Sequence, residues 1–118
     1  MSDRFEDHRG VIQDIVLDRV DAVTEIFTRK GCVRGNHVHE RTVQWTYIVR
    51  GELLVASMPD VLQTRVAVAG DLIREDPGIP HAWKAIEDTT VLVFTRGPRS
   101  GADYEKDTVR LVVPILEP

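Results

Sequence analysis

The chain alternates between short apolar runs and breaks of glycine, proline and aspartate. β-branched residues dominate the runs, and several runs alternate between apolar and polar positions, which is typical of strands with one buried face. The pattern predicts ten strands, at residues 11–17, 22–28, 33–39, 42–49, 52–57, 61–68, 71–75, 81–86, 90–96 and 108–115, with a longer loop at 97–103. A short helix at 17–26 is disfavoured by its β-branched residues, and no helix of three turns is predicted. Short strands between turns indicate an all-β sandwich or barrel.

The strand predicted at 42–49 separates two kinds of side chain by alternation. Successive side chains of a strand point to opposite faces. One face is expected to line a ligand cavity and carries Thr42, Gln44, Thr46 and Ile48. The other face is expected to pack against a neighbouring sheet or subunit and carries Val43, Trp45, Tyr47 and Val49.

Three histidines and a glutamine are the candidate metal ligands. His37 and His39 are separated by one residue in a predicted strand, so both imidazoles are expected to point to one side. Gln44 follows in the next strand, and His81 lies in a later strand bounded by glycine and proline turns. If folding brings them together, three imidazoles and an amide carbonyl form a site for a divalent transition metal: Fe, Mn, Ni, Co, Cu or Zn.

Composition limits the partners and the location. The chain has 118 residues, which fits a single domain over residues 1–118. Its net charge is −4 and its basic residues are scattered, so we expect no nucleic-acid partner. No apolar run is long enough to cross a bilayer and the N-terminus is charged, so we expect no membrane partner and a cytoplasmic location. A lone cysteine, Cys32, suits a reducing compartment, and we expect it to be a small buried or partly buried residue rather than a ligand.

Residues 31–85 resemble the two sequence motifs of the cupin superfamily. The residues that match the first motif are Gly31, His37, His39 and Gly51, with Gln44 where the family usually has glutamate. Those that match the second motif are Gly70, Gly78 and His81, with Pro77 displaced by one position and Ala85 in place of asparagine. The resemblance implies a double-stranded β-helix, or jelly-roll barrel, with His37, His39, Gln44 and His81 as metal ligands.

Gln44 changes the chemistry expected of such a site. A neutral carbonyl ligand leaves the full charge that glutamate would reduce, so the ion would be held less tightly but act as a stronger Lewis acid. Alternatively, Gln44 hydrogen-bonds a ligand histidine or a water instead of the metal. The first hypothesis is a metal-dependent dioxygenase, lyase or isomerase that acts on an oxygenated small molecule, either sugar-like or an organic acid.

Two shorter stretches resemble cupins of carbohydrate metabolism. Residues 34–39, RGNHVH, are similar to the RGxHxH segment of dTDP-sugar ketoisomerases, and residues 5–10, FEDHRG, to the opening of deoxysugar 3,5-epimerases. This resemblance implies a second hypothesis, an isomerase or epimerase that needs no metal, with His37 and His39 as general base and acid and Arg34 on a phosphate. The acidic balance of the chain predicts no basic groove for a diphosphate and argues against it.

A third hypothesis is a ligand-binding module without turnover. In all three the partner is a small molecule, and the resemblance implies a homodimer. The last predicted strand offers an apolar edge that would pair between subunits, formed by Val109, Leu111, Val113 and Ile115.

Overall fold

The computed structural model describes residues 4–98 and 101–118. Within these residues the chain forms eleven strands and one helix. The strands are β1 Arg4–Asp7, β2 Gly10–Gln13, β3 Ala22–Thr28, β4 Val33–His39, β5 Val43–Arg50, β6 Glu52–Ser57, β7 Gln63–Val68, β8 Leu72–Glu75, β9 His81–Ala85, β10 Thr89–Arg96 and β11 Thr108–Arg110, and the helix is α1 Gly101–Asp107. None of the described residues belongs to a helix with the length and apolar surface needed to cross a bilayer.

Both ends of the chain differ from the predicted pattern. The strand expected at 11–17 ends at Gln13, and it pairs with β1, whose mostly charged sequence carries no strand signal. The helix α1 begins inside the expected loop at 97–103, of which residues 99 and 100 lie outside the described residues. The strand expected at 108–115 ends at Arg110, which pairs with His37 of β4. The antiparallel partner of the following residue would be Asn36, and β4 bulges there, so the pairing stops.

Nine of the strands form two antiparallel sheets that pack face to face. The smaller sheet has the order β3-β10-β5-β8 and the larger one β11-β4-β9-β6-β7. Both sheets contribute to one buried apolar cluster, formed by Ile48, Leu53, Val55, Ala67, Ile73, Trp83, Ala85, Val91 and Val93. The prediction of an all-β jelly-roll fold is confirmed, and alternation explains it because the strands that supply this cluster, β5 to β10, turn apolar side chains inward.

The strand β5 shows how far simple alternation holds. Its inward residues Gln44, Thr46 and Ile48 are buried, and of this face, which was expected to line a ligand cavity, Gln44 lines the cavity of the histidines while Ile48 belongs to the apolar cluster. Trp45 on the opposite face is also buried, and residues of the same chain account for this. The guanidinium carbon of Arg74 lies 5.5 Å from the Trp45 ring centroid, and residues 14–18 line a surface cavity together with Trp45. Within the chain this face is covered at Trp45 by Arg74 and the segment 14–18, and its contact with a second subunit stays a prediction.

Cys32 lies in the turn that precedes β4. Its backbone N–H donates a hydrogen bond to the carbonyl oxygen of Arg29 at 3.0 Å. The side chain is exposed, so the expectation of a buried or partly buried residue is wrong. The reason is local: Cys32 precedes the first paired residue of β4 and lies outside the face that the sheet buries.

Candidate active site

The neighbouring strands β4 and β9 bring the three predicted histidines into one cluster. His37 pairs directly with His81 across the two strands, and His39 follows on β4. The ring centroid of His37 lies 4.6 Å from that of His39 and 4.7 Å from that of His81. One nitrogen atom from each ring lies within 4.8 Å of the other two. Cross-strand pairing thus gathers side chains from distant parts of the sequence.

A β-bulge at Asn36 places Arg34 on the same side as the histidines. The pairing with β9 shifts by one residue between Gly35 and His37, so Asn36 is an extra residue in β4. In an uninterrupted strand Arg34 and His37 would point to opposite faces, because they are three residues apart. The bulge shifts the alternation by one, and Arg34, opposite Trp83, lines the same cavity as His37.

His81 is held through one ring nitrogen. Its Nδ1 lies 3.2 Å from the carbonyl oxygen of Ile79, which can only accept, so the proton is on Nδ1. The same nitrogen lies 2.9 Å from Oε2 of the buried Glu75. Burial lowers the pKa of His81, but the contact with the Glu75 carboxylate and the Ile79 carbonyl outweighs burial and raises that pKa above its ordinary value. Nε2 is buried and has no hydrogen-bond partner among the described residues.

The C-terminal segment holds His39. The hydroxyl oxygen of Thr108 lies 3.2 Å from Nδ1 of His39, and Oδ2 of Asp107 lies 3.7 Å from the same nitrogen. Asp107 is fully buried and accepts hydrogen bonds from the backbone N–H of Arg41 at 2.7 Å and from the hydroxyl of Thr42 at 2.6 Å. The junction of α1 and β11 is therefore fixed against the end of β4 that carries His39.

Gln44 reaches the same cavity from the opposite sheet. It lies on β5, is 8% exposed and lines the cavity together with the three histidines. Its Nε2 donates a hydrogen bond to the hydroxyl oxygen of Thr46 at 3.2 Å. The amide oxygen is the atom of Gln44 that is left to bind a metal or to accept a hydrogen bond, and these two roles stay predictions.

The cluster opens into a cavity of about 390 Å³ that carries two cationic side chains. Arg34 and Arg110 both line it. Arg34 donates from Nε to the Thr28 hydroxyl at 2.9 Å and from Nη2 to the Phe27 carbonyl at 3.1 Å, which fixes its guanidinium at the wall. Across the described ranges neither arginine forms an ion pair with a carboxylate. The net charge of the chain is negative, so it gives no indication of this local pair of cations.

Two residues of the cavity, Arg110 and Tyr104, were not predicted from the sequence. Arg110 pairs with His37 between β11 and β4, and the Tyr104 ring centroid lies 6.0 Å from that of His39. Tyr104 lies on a helix that the apolar pattern does not indicate. In the last predicted strand Thr108 and Arg110 are the polar residues that alternate with apolar ones. This alternation is the sequence feature that could have identified them as residues of the site.

The arrangement supports two kinds of chemistry. Imidazole nitrogens that converge within a few ångströms are ligands for a divalent transition metal. Adjacent imidazoles also accept and donate protons at neighbouring atoms of one substrate. In either case a guanidinium group in the wall binds a phosphate or carboxylate of the ligand.

Comparison with known proteins identifies the fold family. The sequence matches the family described as Cupin domain over residues 25–95. No curated protein matches the chain in sequence.

Three solved structures share the fold. The dTDP-4-dehydrorhamnose 3,5-epimerase from Sulfolobus tokodaii has a TM-score of 0.66 and 20% identity, over 86% of this chain and 70% of that chain. QdtA, a sugar 3,4-ketoisomerase from Thermoanaerobacterium thermosaccharolyticum in complex with TDP, has a TM-score of 0.73 and 17% identity, over 94% of this chain and 85% of that chain. A 3,4-ketoisomerase from Helicobacter canadensis has a TM-score of 0.77 and 14% identity, over 92% of this chain and 86% of that chain. At these identities the similarity establishes the fold and leaves the substrate open.

Proposed function

Because the chain belongs to the cupin family, we propose that its histidine cavity binds a nucleotide-linked keto sugar and moves a proton next to the sugar carbonyl. The protein is then an isomerase or epimerase of carbohydrate metabolism. His37 is the general base, His39 is the general acid, and Arg34 and Arg110 bind the phosphates. The sequence alone favours a metal-dependent enzyme over this reaction, and the cavity supports the reverse order.

One observation carries the proposal: the histidines and two arginines without carboxylate partners line one cavity. An arginine that faces a cleft without a counter-ion favours an anionic ligand, and the planar guanidinium suits phosphate oxygens. Two such groups suit a diphosphate better than a neutral sugar. The compared structures, named as a dTDP-sugar epimerase and two 3,4-ketoisomerases, one with TDP, provide a parallel on the same fold.

The proposed reaction needs two proton-transfer groups side by side. His37 takes the proton from the carbon next to the carbonyl, while His39 gives a proton to the carbonyl oxygen and produces an enediol. His39 then accepts the proton of the neighbouring hydroxyl, and His37 returns its proton to the former carbonyl carbon, so the ketone has moved by one position. Return of a proton to the original carbon on its other face gives the epimer instead. The ring centroids are 4.6 Å apart, a separation that reaches adjacent atoms of one sugar.

The proposal is tested by incubating the tag-free protein with a dTDP-linked 4-keto sugar and a chelator, and following the sugar by proton NMR. We expect conversion by the wild type and a loss of about 10²–10⁴-fold in rate for His37→Ala and His39→Ala. His8→Ala is the matched control, because His8 is exposed in the β1–β2 hairpin and does not line the cavity. A wild type that neither binds TDP nor converts the sugar contradicts the proposal, and TDP binding without conversion favours the ligand-binding module.

A metal-dependent reaction is the second candidate, and the unpartnered Nε2 of His81 favours it. Nδ1 of His81 is engaged by Ile79 and Glu75, an arrangement that supports metal-binding histidines elsewhere. The residues fit a divalent ion: His37, His39 and His81 would hold it, with the Gln44 oxygen as a fourth ligand. A bound ion would supply a Lewis acid that polarises a carbonyl oxygen.

Metal binding is measured by the metal content of tag-free protein and by titration with Co²⁺. A metal site predicts about one ion per chain in the wild type and in His8→Ala, and loss of the ion in His81→Ala. Activity that survives complete removal of metal rejects the second candidate and retains the first.

We further propose that the chain forms a homodimer. The β1–β2 hairpin stands apart from both sheets and exposes Phe5 (56%) and Ile12 (68%). A two-stranded hairpin is marginally stable in water, so a second copy is a suitable cover. Val109 on the edge strand β11 is also exposed. Light scattering should give the mass of a dimer for the wild type and of a monomer for a Phe5→Ser, Ile12→Ser variant, and a monomeric wild type contradicts this proposal.

The cytoplasmic location is likewise a proposal. The exposed thiol of Cys32 suits a reducing compartment, because it would be open to oxidation elsewhere. Fractionation of the producing cells tests it, and recovery of the protein outside the cytoplasm contradicts it.

A further inference from the structure

We propose that Asn36 is a positioning residue that sets both arginines of the cavity. Its backbone creates the bulge in β4, and its side chain fastens the C-terminal segment, which carries Arg110, onto that bulge. Asn36 does not line the cavity, so it acts through its neighbours. The proposal rests on the proposed function only for the identity of the anion that the arginines bind.

The backbone of Asn36 has an unusual conformation. Its φ is 57°, which makes it the one non-glycine residue with a positive φ among the described residues. Asparagine tolerates this left-handed region better than most residues do. Gly35, with a φ of 94°, lies so close to β9 that a Cβ there would be 2.9 Å from Cα of Ala82. The bulge is therefore specified by two consecutive residues that fit a conformation unfavourable to most others.

The side chain of Asn36 is devoted to the C-terminal segment. Oδ1 accepts hydrogen bonds from the backbone N–H groups of Ile115 at 2.9 Å and Leu116 at 3.2 Å. Nδ2 donates to the carbonyl oxygen of Leu116 at 3.0 Å. The backbone carbonyl of Asn36 accepts from the N–H of Leu111 at 2.9 Å. One residue thus binds the segment at two places, 111 and 115–116.

These contacts bear on both cations of the cavity. The bulge turns Arg34 to the face of the histidines. With strict alternation Arg34 would point to the opposite face. The backbone near Arg110 is held to β4 at two neighbouring points. Arg110 pairs with His37, and the N–H of the next residue, Leu111, donates to the backbone carbonyl of Asn36.

The amide side chain of Asn36 forms a clasp on residues 115–116 through its three hydrogen bonds, and when the clasp is lost the segment after Arg110 keeps its attachment to Asn36 at Leu111 but loses the second one. The backbone of Arg110 is then held less firmly against β4. The expected consequence is weaker binding of an anion with less change in the chemical step.

The test separates the backbone role from the side-chain role. Asn36→Gly keeps the positive φ and removes the clasp, while Asn36→Asp keeps an acceptor for both N–H groups but cannot donate to the Leu116 carbonyl. Ile115→Pro removes one donor from the other side of the clasp. We expect TDP to bind about tenfold more weakly to Asn36→Gly, with a smaller loss for Asn36→Asp. In turnover, KM should rise more than kcat falls. Gln63→Gly, which removes an exposed amide from β7, is the control and should change neither value.

A double-mutant cycle identifies the coupling. Asn36→Gly and Arg110→Ala should each weaken TDP binding, and the double variant should be little weaker than Arg110→Ala alone, because Asn36→Gly keeps the bulge that positions Arg34 and so acts through Arg110. Losses that add fully, or an unchanged TDP affinity in Asn36→Gly, overturn the proposal.

Two further measurements do not depend on the ligand. In Asn36→Gly and Ile115→Pro the backbone amides of Leu111 and Leu116 should exchange with solvent at least about tenfold faster, and the ring proton resonances of His37 should move while those of His8 stay. If the wild type fails to bind TDP, the proposed function fails, and these measurements alone decide the role of Asn36. Unchanged exchange and unchanged His37 resonances in both variants contradict that role.

Discussion

The two ends of the sandwich interior share the strands β5, β9 and β10 but differ in character. The apolar end is formed by Ile48, Leu53, Ala85 and Val91, each at most 1% exposed. The polar end is formed by Gln44, His81 and Thr95 from the same sheets, together with His37 and His39. Alternation decides which side chains are inside, and position along the strand decides whether the interior is apolar or polar.

The two ends contribute differently: the apolar end stabilises the fold, and the polar end provides groups that can bind a ligand. Burial of aliphatic side chains contributes about 25 cal/mol per Å² of apolar surface, so the apolar end stabilises the fold. At the polar end several buried atoms have no hydrogen-bond partner among the described residues, namely His81 Nε2, Trp83 Nε1 and Thr95 Oγ1. Unpartnered buried polar groups cost stability, and a ligand that satisfies them gains affinity. The polar end is therefore the part of the interior adapted to binding.

The largest expected effect separates activity from stability at the polar end. His37→Ala should lower the isomerase or epimerase rate by about 10²–10⁴-fold, because it removes the proposed base. Its free energy of unfolding should stay within about 1 kcal/mol of the wild type, because His37 is only partly buried. Turnover and urea denaturation measured on one preparation check both values. A His37→Ala variant that keeps its activity but is strongly destabilised contradicts the separation of activity from stability.

The apolar end should respond in the opposite way. Leu53→Ala should lower the free energy of unfolding by about 2–5 kcal/mol, because the side chain is fully buried and leaves a cavity. Leu54→Ala on the same strand is the matched control, since Leu54 points to the other face and is only partly buried. Urea denaturation measures both, and equal losses would mean that the inner face of β6 is wrongly assigned.

A smaller effect is expected where the C-terminal segment meets β4. Asp107→Asn should lower the free energy of unfolding by about 1–3 kcal/mol, because Arg41 and Thr42 donate to different carboxylate oxygens and the amide nitrogen that replaces one of them cannot accept a hydrogen bond. Asp103→Asn, in the exposed first turn of the same helix, is the control. Thermal denaturation distinguishes the two, and an unaffected Asp107→Asn would show that this junction does not hold the segment.

The smallest effect is a pH dependence from Glu75 and His81. The pKa of His81 is raised in the folded protein above its ordinary value of 6.5, so protonation of His81 stabilises the fold. That stability is fully present below pH 6.5 and is lost as the pH rises through the folded pKa. Glu75→Gln should weaken this decline with rising pH. Denaturation with chelator across this pH range measures it, and identical slopes in both proteins reject the coupling.

The central strands and the histidine cluster follow from the sequence, for local reasons. The bounds of β3 to β10 are predicted within two residues because their apolar runs and turns are regular. His37 and His39 share a face by alternation, and the second motif identifies His81 as their partner.

The rest depends on long-range pairing that no local pattern encodes. The position of Arg34 requires the bulge at Asn36, and Arg110 requires the pairing of β11 with β4. The helix α1, which carries Tyr104, occupies a stretch in which glycine and charged residues indicate a loop. The sequence therefore predicts the imidazoles of the site and Arg34, and it misses Arg110 and Tyr104.

The central claim is that the imidazoles of the polar end move a proton next to a sugar carbonyl without a metal. The most direct test incubates the chelator-treated protein with a dTDP-linked 4-keto sugar in D₂O and measures deuterium at the carbons beside the carbonyl by NMR. We predict deuterium incorporation by the wild type and by His8→Ala, and none above the protein-free rate for His37→Ala. A wild type that binds TDP and yet incorporates no deuterium would contradict the account.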